Sequence, residues 1–535
     1  MWEILNTSGK DIVETLLENR GIKTKKEKED FFNPITPLDL KLKDLGISSI
    51  EVKKAIKRIK LAKKNREKVI VYGDYDADGV TATAIMWEAL YSLHVDATPY
   101  IPDRFKEGYG INAKTVEKLK NENPDLKLTV TVDNGIVAND AIKAANKLKI
   151  DVIVTDHHQP SKIKPKAFAI IHTTQIAGSA VAWILARELG YKDGLELTAL
   201  GTIADQMPLT NANRSFAKYG LEALKKTKRV GLIELMSEAA IKLENIGTYE
   251  VNYIIAPRIN SMGRLASAID SLRLLCTRDK KRAKQLANLV SRTNLERQKI
   301  VEKISISVRA KAMENQNELI FIADESYHEG VIGLAAGRLT EEFYKPAIVI
   351  SVGKEFSKGS ARSITGFNIV EAITEHSDLL VAHGGHRMAA GFTIKTSKIE
   401  DFRKRLNKNA KEKLTEELLN RKLKIDCELD FNLINWELVK KIKEFEPNGL
   451  GNPAPTFVTY SAEVIDVKLL GADKKHLKLK LKKGGKFFDA IGFNLAKDFG
   501  DIMKGTKVDF VYSIDENVWN GTTTLQLKMK DLKKV

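Results

Sequence analysis

Cysteine is nearly absent from this chain of 535 residues, which holds only Cys276 and Cys427. Two thiols so far apart in sequence cannot build a disulfide framework or a CxxC zinc site. Long apolar runs are missing as well. No stretch approaches the ~18 uninterrupted apolar residues of a membrane span. The opening MWEILNTSGKDIVETLLENRGIKTKKEKED carries acids throughout and has no apolar h-region, so it does not read as a secretory signal. The expectation is a soluble, cytoplasmic protein with no membrane partner. There is no internal repeat and no low-complexity tract beyond Lys-rich patches. Negative charge is in short supply: 70 Asp and Glu face 87 Lys and Arg, leaving a formal charge of +17. That surplus favours a polyanion partner, nucleic acid first.

What is present suffices for sizeable cores, since 43% of residues are hydrophobic and the length suggests about three or four domains. Residues 1–66 read as a helical extension, with helices expected at 11–20 and 49–66. From Lys68 the pattern alternates. The strand Val69–Tyr72 is followed by GDYDADG and a helix over 80–93. The run Leu128–Val132 is followed by DNG and a helix over 137–148, and the run Asp151–Thr155 by DHH. Strands alternating with helices imply βαβ units and a parallel sheet covered on both faces. After Gly178 the chain reads as helical to about Arg278. The segment Asp279–Asn315 has neither Gly nor Pro. As one helix it would reach ~55 Å, the length of a connector between lobes. A second α/β block is expected over 318–419, with strands at 319–323 and 347–351 and a helix at 331–343. From 420 to 535 short alternating strands suggest a small β-barrel of OB type.

Three clusters follow three expected parallel strands: Asp74, Asp76 and Asp78; then Asp133; then Asp156, His157 and His158. Ligands of an open α/β sheet gather outside the carboxyl ends of its strands, so these clusters should share one crevice. Asp205, in ADQMPL after an apolar helix, is a fourth candidate. Asp76, Asp78, Asp133 and Asp205 together place four negative charges within a few ångströms, which cannot remain ionised unaided. Two divalent cations would neutralise them, and paired ions ~3.5–4 Å apart are the usual device for clamping a phosphate and activating water. A histidine ligand tilts the choice toward Mn²⁺ over Mg²⁺.

The ordered motifs GDYDADGVTA (73–82), VDNG (132–135), DHH (156–158) and ADQMPL (204–209) resemble those of the DHH phosphoesterase superfamily. PRINSMGRL (257–265), EGVIGLAAGRL (329–339), SARS (360–363) and GGH (384–386) resemble its companion DHHA1 half. With PITPLDL near the start and the C-terminal β module, the likeness narrows to the bacterial single-strand-specific exonucleases of that superfamily. The implied fold class is α/β: a DHH parallel-sheet lobe over 67–278, a connector helix over 279–317 and a DHHA1 lobe over 318–419. An OB-like barrel completes it.

The resemblance also assigns residues. It places metal carboxylates on Asp76, Asp78, Asp133 and Asp205, a metal imidazole on His157, and Asp74 as ligand or orienter. It puts His158 in contact with phosphate or behind the ligands. Arg258, Asn260 and Arg264 would line the crevice, Arg258 and Arg264 meeting developing charge. His386 would contact phosphate, with Ser360 and Arg362 nearby, and Gly384 and Gly385 would let backbone approach it. One departure stands out: IHTTQIAGSAVAW (171–183) abbreviates a loop that is longer in relatives, which bears on 5′-end recognition.

A two-metal site could serve pyrophosphate, cyclic dinucleotides, short oligonucleotides or long strands. HLKLKLKK (476–483) sets Leu477, Leu479 and Leu481 on one strand face and Lys478, Lys480 and Lys482 on the other, with Phe487, Phe488 and Phe493 close behind. Phosphates on lysines and bases on rings suit a single strand. The activity expected with the resemblance is a 5′→3′ exonuclease on single-stranded DNA, the direction implied by the resemblance alone, working as a monomer and beside a single-strand-binding protein. A nanoRNA or cyclic-dinucleotide phosphodiesterase and a non-catalytic DNA-binding scaffold are the alternatives. The extra N- and C-terminal segments oppose the first, and the intact carboxylates oppose the second.

Overall fold

The computed structural model describes residues 1–6, 11–314, 317–519 and 521–535, without the side chains of Val518 and Trp519. Its first lobe is built on five parallel strands. In spatial order they are Ala97–Tyr100, Lys68–Tyr72, Leu126–Val132, Asp151–Asp156 and Ala169–His172. The central strands are Val/Ile runs buried on both faces, as helices on either side of a parallel sheet require. The edge strand Ala97–Tyr100 escapes sequence reading because it is short, half-exposed and carries Pro99, a residue confined to sheet edges. Helices Ala77–Ser92 and Gly178–Glu188 cover one face of the sheet, and their small residues let them pack closely on it and on each other.

The second lobe is a mixed five-stranded sheet. Its order is Leu380–His386, Ala389–Lys395, Phe356–Arg362, Ala347–Ser351 and Ile320–Asp324, and only the last pair is parallel. Helix Lys280–Met313, of 34 residues, joins the lobes and stops short of the expected residue 317; residues 315 and 316 lie outside the described residues. The helix does more than connect. Leu286, Ala287 and Val290 belong to the core of the first lobe, and Val301, Ile304 and Val308 to that of the second. Each end is thus fixed in a core.

The C-terminal strands Phe457–Leu470, His476–Lys483, Lys486–Gly492, Thr522–Lys534 and Lys507–Trp519 pair in that order and close back on the first, forming a five-stranded barrel. Leu477, Leu479 and Leu481 fill its interior. Among the described residues, the N-terminal segment has no core of its own. Strand Trp2–Ile4 pairs with Leu423–Ile425, and Leu16, Leu17 and Phe31 sit in the barrel's core. Helix Ser49–Asn65 buries Val52, Ala55 and Ile59 in the first lobe. The segment therefore straps barrel to lobe. Among the described residues, no helix is long and apolar enough to cross a membrane.

Candidate metal centre

Each acidic loop emerges at the carboxyl end of a parallel strand, so the sheet itself brings the clusters together. Asp76 caps helix Ala77–Ser92, its Oδ1 accepting from Gly79 N at 3.0 Å. Asp78, inside that first turn, accepts from Gly178 N at 2.7 Å and Ser179 N at 3.0 Å. Asp133 ends strand Leu126–Val132 with φ of +62°, a left-handed conformation that Asp tolerates better than most residues. Asp205 caps the C-terminal end of helix Leu195–Ala204.

His157 ties these together. Its Nε2 lies 3.1 Å from Asp133 Oδ1, 3.7 Å from Asp205 Oδ2 and 3.8 Å from Asp78 Oδ2. Among the described residues, three triplets have ligand atoms within 4.8 Å of one another: Asp74, Asp76 and Asp133; Asp78, His157 and Asp205; and Asp133, His157 and His158. Asp133 belongs to two of them, as does His157, which is the arrangement two neighbouring ions need.

The electrostatics call for cations. Asp74, Asp78 and Asp133 are each 2% exposed. Burial, reinforced by Asp78, Asp76, Asp74 and Asp205, pushes the Asp133 carboxyl well above its usual range. Burial and then Asp76 do the same to Asp74. Asp205 is raised to about 8 by desolvation and by the charges of Asp78 and Asp76. Asp78 is raised to about 6 by burial, against the hydrogen bonds from Ser179. Burial, with His158 beside it, lowers His157 to about 3, so it is neutral and free to coordinate. Asp74 Oδ1 and Asp133 Oδ1 are buried without a hydrogen-bond partner, which is costly unless a ligand completes them. An oxygen-rich set with one neutral imidazole fits Mn²⁺ or Mg²⁺.

Asp156 stands behind the cluster. Its Oδ1 accepts from His157 N at 2.7 Å and pairs with His158 Nδ1 at 2.8 Å. Burial opposes charge on His158, yet Asp156 outweighs it and raises the imidazole to about 9. The Tyr109 hydroxyl reaches both His158 Nε2, at 3.0 Å, and the Asp133 carbonyl, at 3.3 Å.

The second lobe closes the crevice. The His386 ring lies 6.2 Å from that of His158. Arg362 donates to Ser360 Oγ at 3.3 Å, and both side chains border Gly333 in the first turn of helix Ile332–Phe343, a setting suited to an anion. Gly384 faces open space, whereas a side chain on Gly385 would collide with the Ala389 carbonyl. Arg264 donates to Gly330 O at 3.2 Å. Desolvation and the charges of Arg104, Arg362 and Arg297 lower it to about 9. Asn260 stands beside the acidic loop: its Oδ1 accepts from Ala77 N at 2.7 Å and holds the start of the acidic helix.

On the barrel, Lys478, Lys480 and Lys482 point outward as expected, but the face is mixed. Lys478 pairs with Asp489 at 2.8 Å. Lys480 and Lys482 lie 5.9 and 5.7 Å from the centre of the exposed Phe487 ring. Phe493 is also exposed, whereas Phe488 is partly buried against Phe431, with ring centres 5.0 Å apart.

Sequence reading missed Arg104, Tyr109, Gly178 and Ser179. Arg104 and Tyr109 lie in the loop after the undetected edge strand, where no motif marks them. Gly178 and Ser179 were visible only as the start of an apolar helix after the abbreviated loop.

Three family models match the chain: the DHH family N-terminal domain over residues 68–205, the DHHA1 domain over 315–412 and the RecJ OB domain over 425–531. The single-stranded-DNA-specific exonuclease RecJ of Bacillus subtilis is 38% identical over 90% of this chain, which spans 63% of that protein's length. The Haemophilus influenzae protein of the same name is 31% identical, with 89% of each chain covered. The crystal structure of Thermus thermophilus RecJ with Mn²⁺ superimposes at a TM-score of 0.84 and 29% identity, covering 98% of this chain and 76% of that one.

Proposed function

The chain belongs to the RecJ family, and from that premise we propose that it is a metal-dependent exonuclease. It hydrolyses single-stranded DNA to 5′-mononucleotides in the 5′→3′ direction. The observation that carries this reading is the set of ligand triplets joined through Asp133 and His157, with His386 of the second lobe facing His158 at 6.2 Å.

Two divalent ions bound by Asp74, Asp76, Asp78, Asp133, His157 and Asp205 would neutralise the buried carboxylates, lower the pKa of water and draw charge from a phosphodiester. The chain's own residues do the rest. Asp156 holds the adjoining His158 in one orientation through the hydrogen bond at Nδ1. His386, brought across from the second lobe to 6.2 Å from the His158 ring, meets phosphoryl oxygen. Arg264 and Arg362, desolvated and close to Arg104, supply positive charge where phosphate oxygens collect. Ser360 and the first turn of helix Ile332–Phe343 seat a terminal phosphate. Single strands with splayed bases fit between the lobes, and the barrel holds the strand further along. The family likeness extends the reading to DNA repair and recombination in the cytoplasm. There the protein would act as a monomer on strands delivered with a single-strand-binding protein.

Incubation with Mn²⁺ and strands labelled at either end tests this. The 5′ label should appear first as mononucleotide, and duplex should resist. Asp133→Asn, which keeps the left-handed backbone affordable, should lower hydrolysis by at least ~1000-fold while single-strand binding persists. Wild-type protein that spares long strands but cleaves dinucleotides would overturn the substrate assignment. Undiminished turnover by Asp133→Asn would overturn the site.

A further inference from the structure

A cleft of about 1320 Å³ opens to solvent on the side of the first lobe away from the metals, with room for a small-molecule ligand. Its place follows from the βαβ topology. Helix Ala77–Ser92 starts beside Asp76 and runs back to the amino ends of the strands, where Trp87, Glu88 and Tyr91 line the cleft. Helix Leu195–Ala204 runs the other way, from Glu196 in the cleft to Asp205 at the metals. The spans from Asp78 to Glu88 and from Glu196 to Asp205 each amount to ~14–15 Å of helix. Cleft and metal centre are therefore separate sites at opposite ends of the same two helices.

The acids at the floor of the cleft are already engaged. Arg229 forks onto Glu88 at 2.6 and 2.9 Å, and reaches Glu196 at 3.1 Å and Leu275 O at 2.8 Å. The Tyr191 hydroxyl donates to Glu88 at 2.8 Å. Burial and the charge of Glu88 push the Cys276 thiol up, so the floor offers no nucleophile. The rim is the reverse. Lys192, Lys226, Lys228 and Arg278 line the cleft, are exposed, and have no side-chain hydrogen bond or ion pair among the described residues. Beside them Trp87 and Tyr91, one helical turn apart, set their ring centres 5.6 Å apart at 34°. Trp87 Nε1 donates to Ala97 O at 3.1 Å, which fixes the indole, while Tyr91 is 59% exposed. A held aromatic surface thus adjoins four cations with no counter-charge of their own.

We propose that this cleft binds a nucleoside di- or triphosphate as an effector of the metal centre, with the base on Tyr91 and Trp87 and the phosphates on the lysines and Arg278. One aromatic surface beside concentrated positive charge fits one base joined to several phosphates. A nucleic-acid strand, with one phosphate per base, needs rings and cations spread along a groove instead. A ligand that orders the cleft ends of the two helices bears on Asp76, Asp78 and Asp205 at their other ends, so its binding and that of Mn²⁺ are coupled.

Calorimetric titration of full-length protein with ATP, ADP and inorganic tripolyphosphate, in EDTA, tests the cleft without the metals. Tyr91→Ala should weaken both nucleotides about 5- to 100-fold, the worth of one stacked base, and leave tripolyphosphate alone. Lys226→Gln/Lys228→Gln should weaken all three about 10-fold or more, from lost charge-assisted contacts. These side chains are exposed, so the variants should fold as the wild type does. In strand hydrolysis, ATP that just saturates the wild type should shift the free Mn²⁺ concentration for half-maximal rate by about 5-fold or more. That shift should vanish when the three substitutions are combined. No binding of ATP or ADP at millimolar concentration would overturn the proposal. So would equal weakening by Lys480→Gln/Lys482→Gln on the barrel, displacement of ATP by a long oligodeoxynucleotide, or a Mn²⁺ shift absent from the wild type or persisting in the combined variant. Failure of the nuclease reading shows separately, as wild-type protein that cleaves no strand while calorimetry still reports the nucleotide.

Discussion

The Asp133 carboxylate occupies the space where a side chain on Gly178 would stand: a methyl group there would overlap both its Cγ and Oδ1. Gly201 bears the same relation to Asp78 and Ser179. The two helices thus form the back wall of the metal centre and press backbone directly onto its ligands. Gly178→Ala should displace Asp133 and weaken Mn²⁺ binding about 10- to 100-fold, the usual cost of disturbing a group that supports a ligand. Calorimetric Mn²⁺ titration alongside a melting curve checks this. Full Mn²⁺ affinity in a folded Gly178→Ala protein would show that the wall does not position the ligand.

Stability without metal should depend on pH in a direction set by the crowded acids. Asp205 keeps its proton to about 8, against 3.8 for an unperturbed carboxyl, and His158 to about 9, against 6.5. Between pH 6.5 and 8.5 the folded state therefore binds more protons than the unfolded chain, and stability falls as pH rises. His157, lowered to about 3, acts oppositely but only below pH 6.5. Bound metal requires deprotonated ligands, so the gap in Tm between metal-loaded and EDTA-treated protein should widen by several degrees across that window. A gap that stays constant or narrows from pH 6.5 to 8.5 would contradict the charge assignment.

The parts of this site that were legible in the sequence are those where chemistry and periodicity coincide. Val/Ile runs end in acids at Tyr72, Val132 and Thr155, so the strands and ligands announce each other. The alternation from Leu477 to Lys482 likewise reports a strand with one buried face. Contacts between distant segments left no such trace. The Asn260 bond to Ala77 N joins positions 183 residues apart, Phe488 reads as a stacking ring but packs, partly buried, on Phe431, and residues 1–66 read as a separate helical extension although Leu16 and Phe31 complete another module's core. Local pattern specifies which face is apolar, not which partner covers it.

Arg214 shows how firmly the modules are joined. It is 1% exposed, and its guanidinium lies 3.8 Å from the Phe31 ring centre. It donates to the carbonyls of Phe31, Glu444, Phe445, Glu446 and Pro447 at 2.7 to 3.5 Å. One side chain of the first lobe thus satisfies the N-terminal strap and the loop leading into the barrel. Arg214→Met should strand these acceptors at a cost of about 3 kcal/mol or more. Arg214→Lys should rescue little, because an ammonium cannot serve five acceptors in a fork. Heat or urea unfolding should then split into two transitions, the barrel melting first. A single transition at the wild-type midpoint would mean that the clamp carries no load.

The same strap dictates how the barrel's grip must be tested. Deleting residues 422–535 would strip the cover from Leu16, Leu17 and Phe31 and remove the partner of strand Trp2–Ile4. A binding defect in that truncation could not be told from misfolding. Side-chain neutralisation on the outer face avoids this. Lys480 and Lys482 flank the exposed Phe487 ring, whereas Lys478 is already paired with Asp489. Lys480→Gln/Lys482→Gln should make the dependence of log affinity on log salt shallower by about 1.4, from ~0.7 per single-strand phosphate contact. Lys478→Gln should change it by less than one contact, because its charge is largely spent on the carboxylate. Phe487→Ala should weaken binding by about 1–3 kcal/mol and leave the salt slope alone, since stacking releases no counterions. Unchanged slopes in the double lysine variant would place the grip on another face of the barrel.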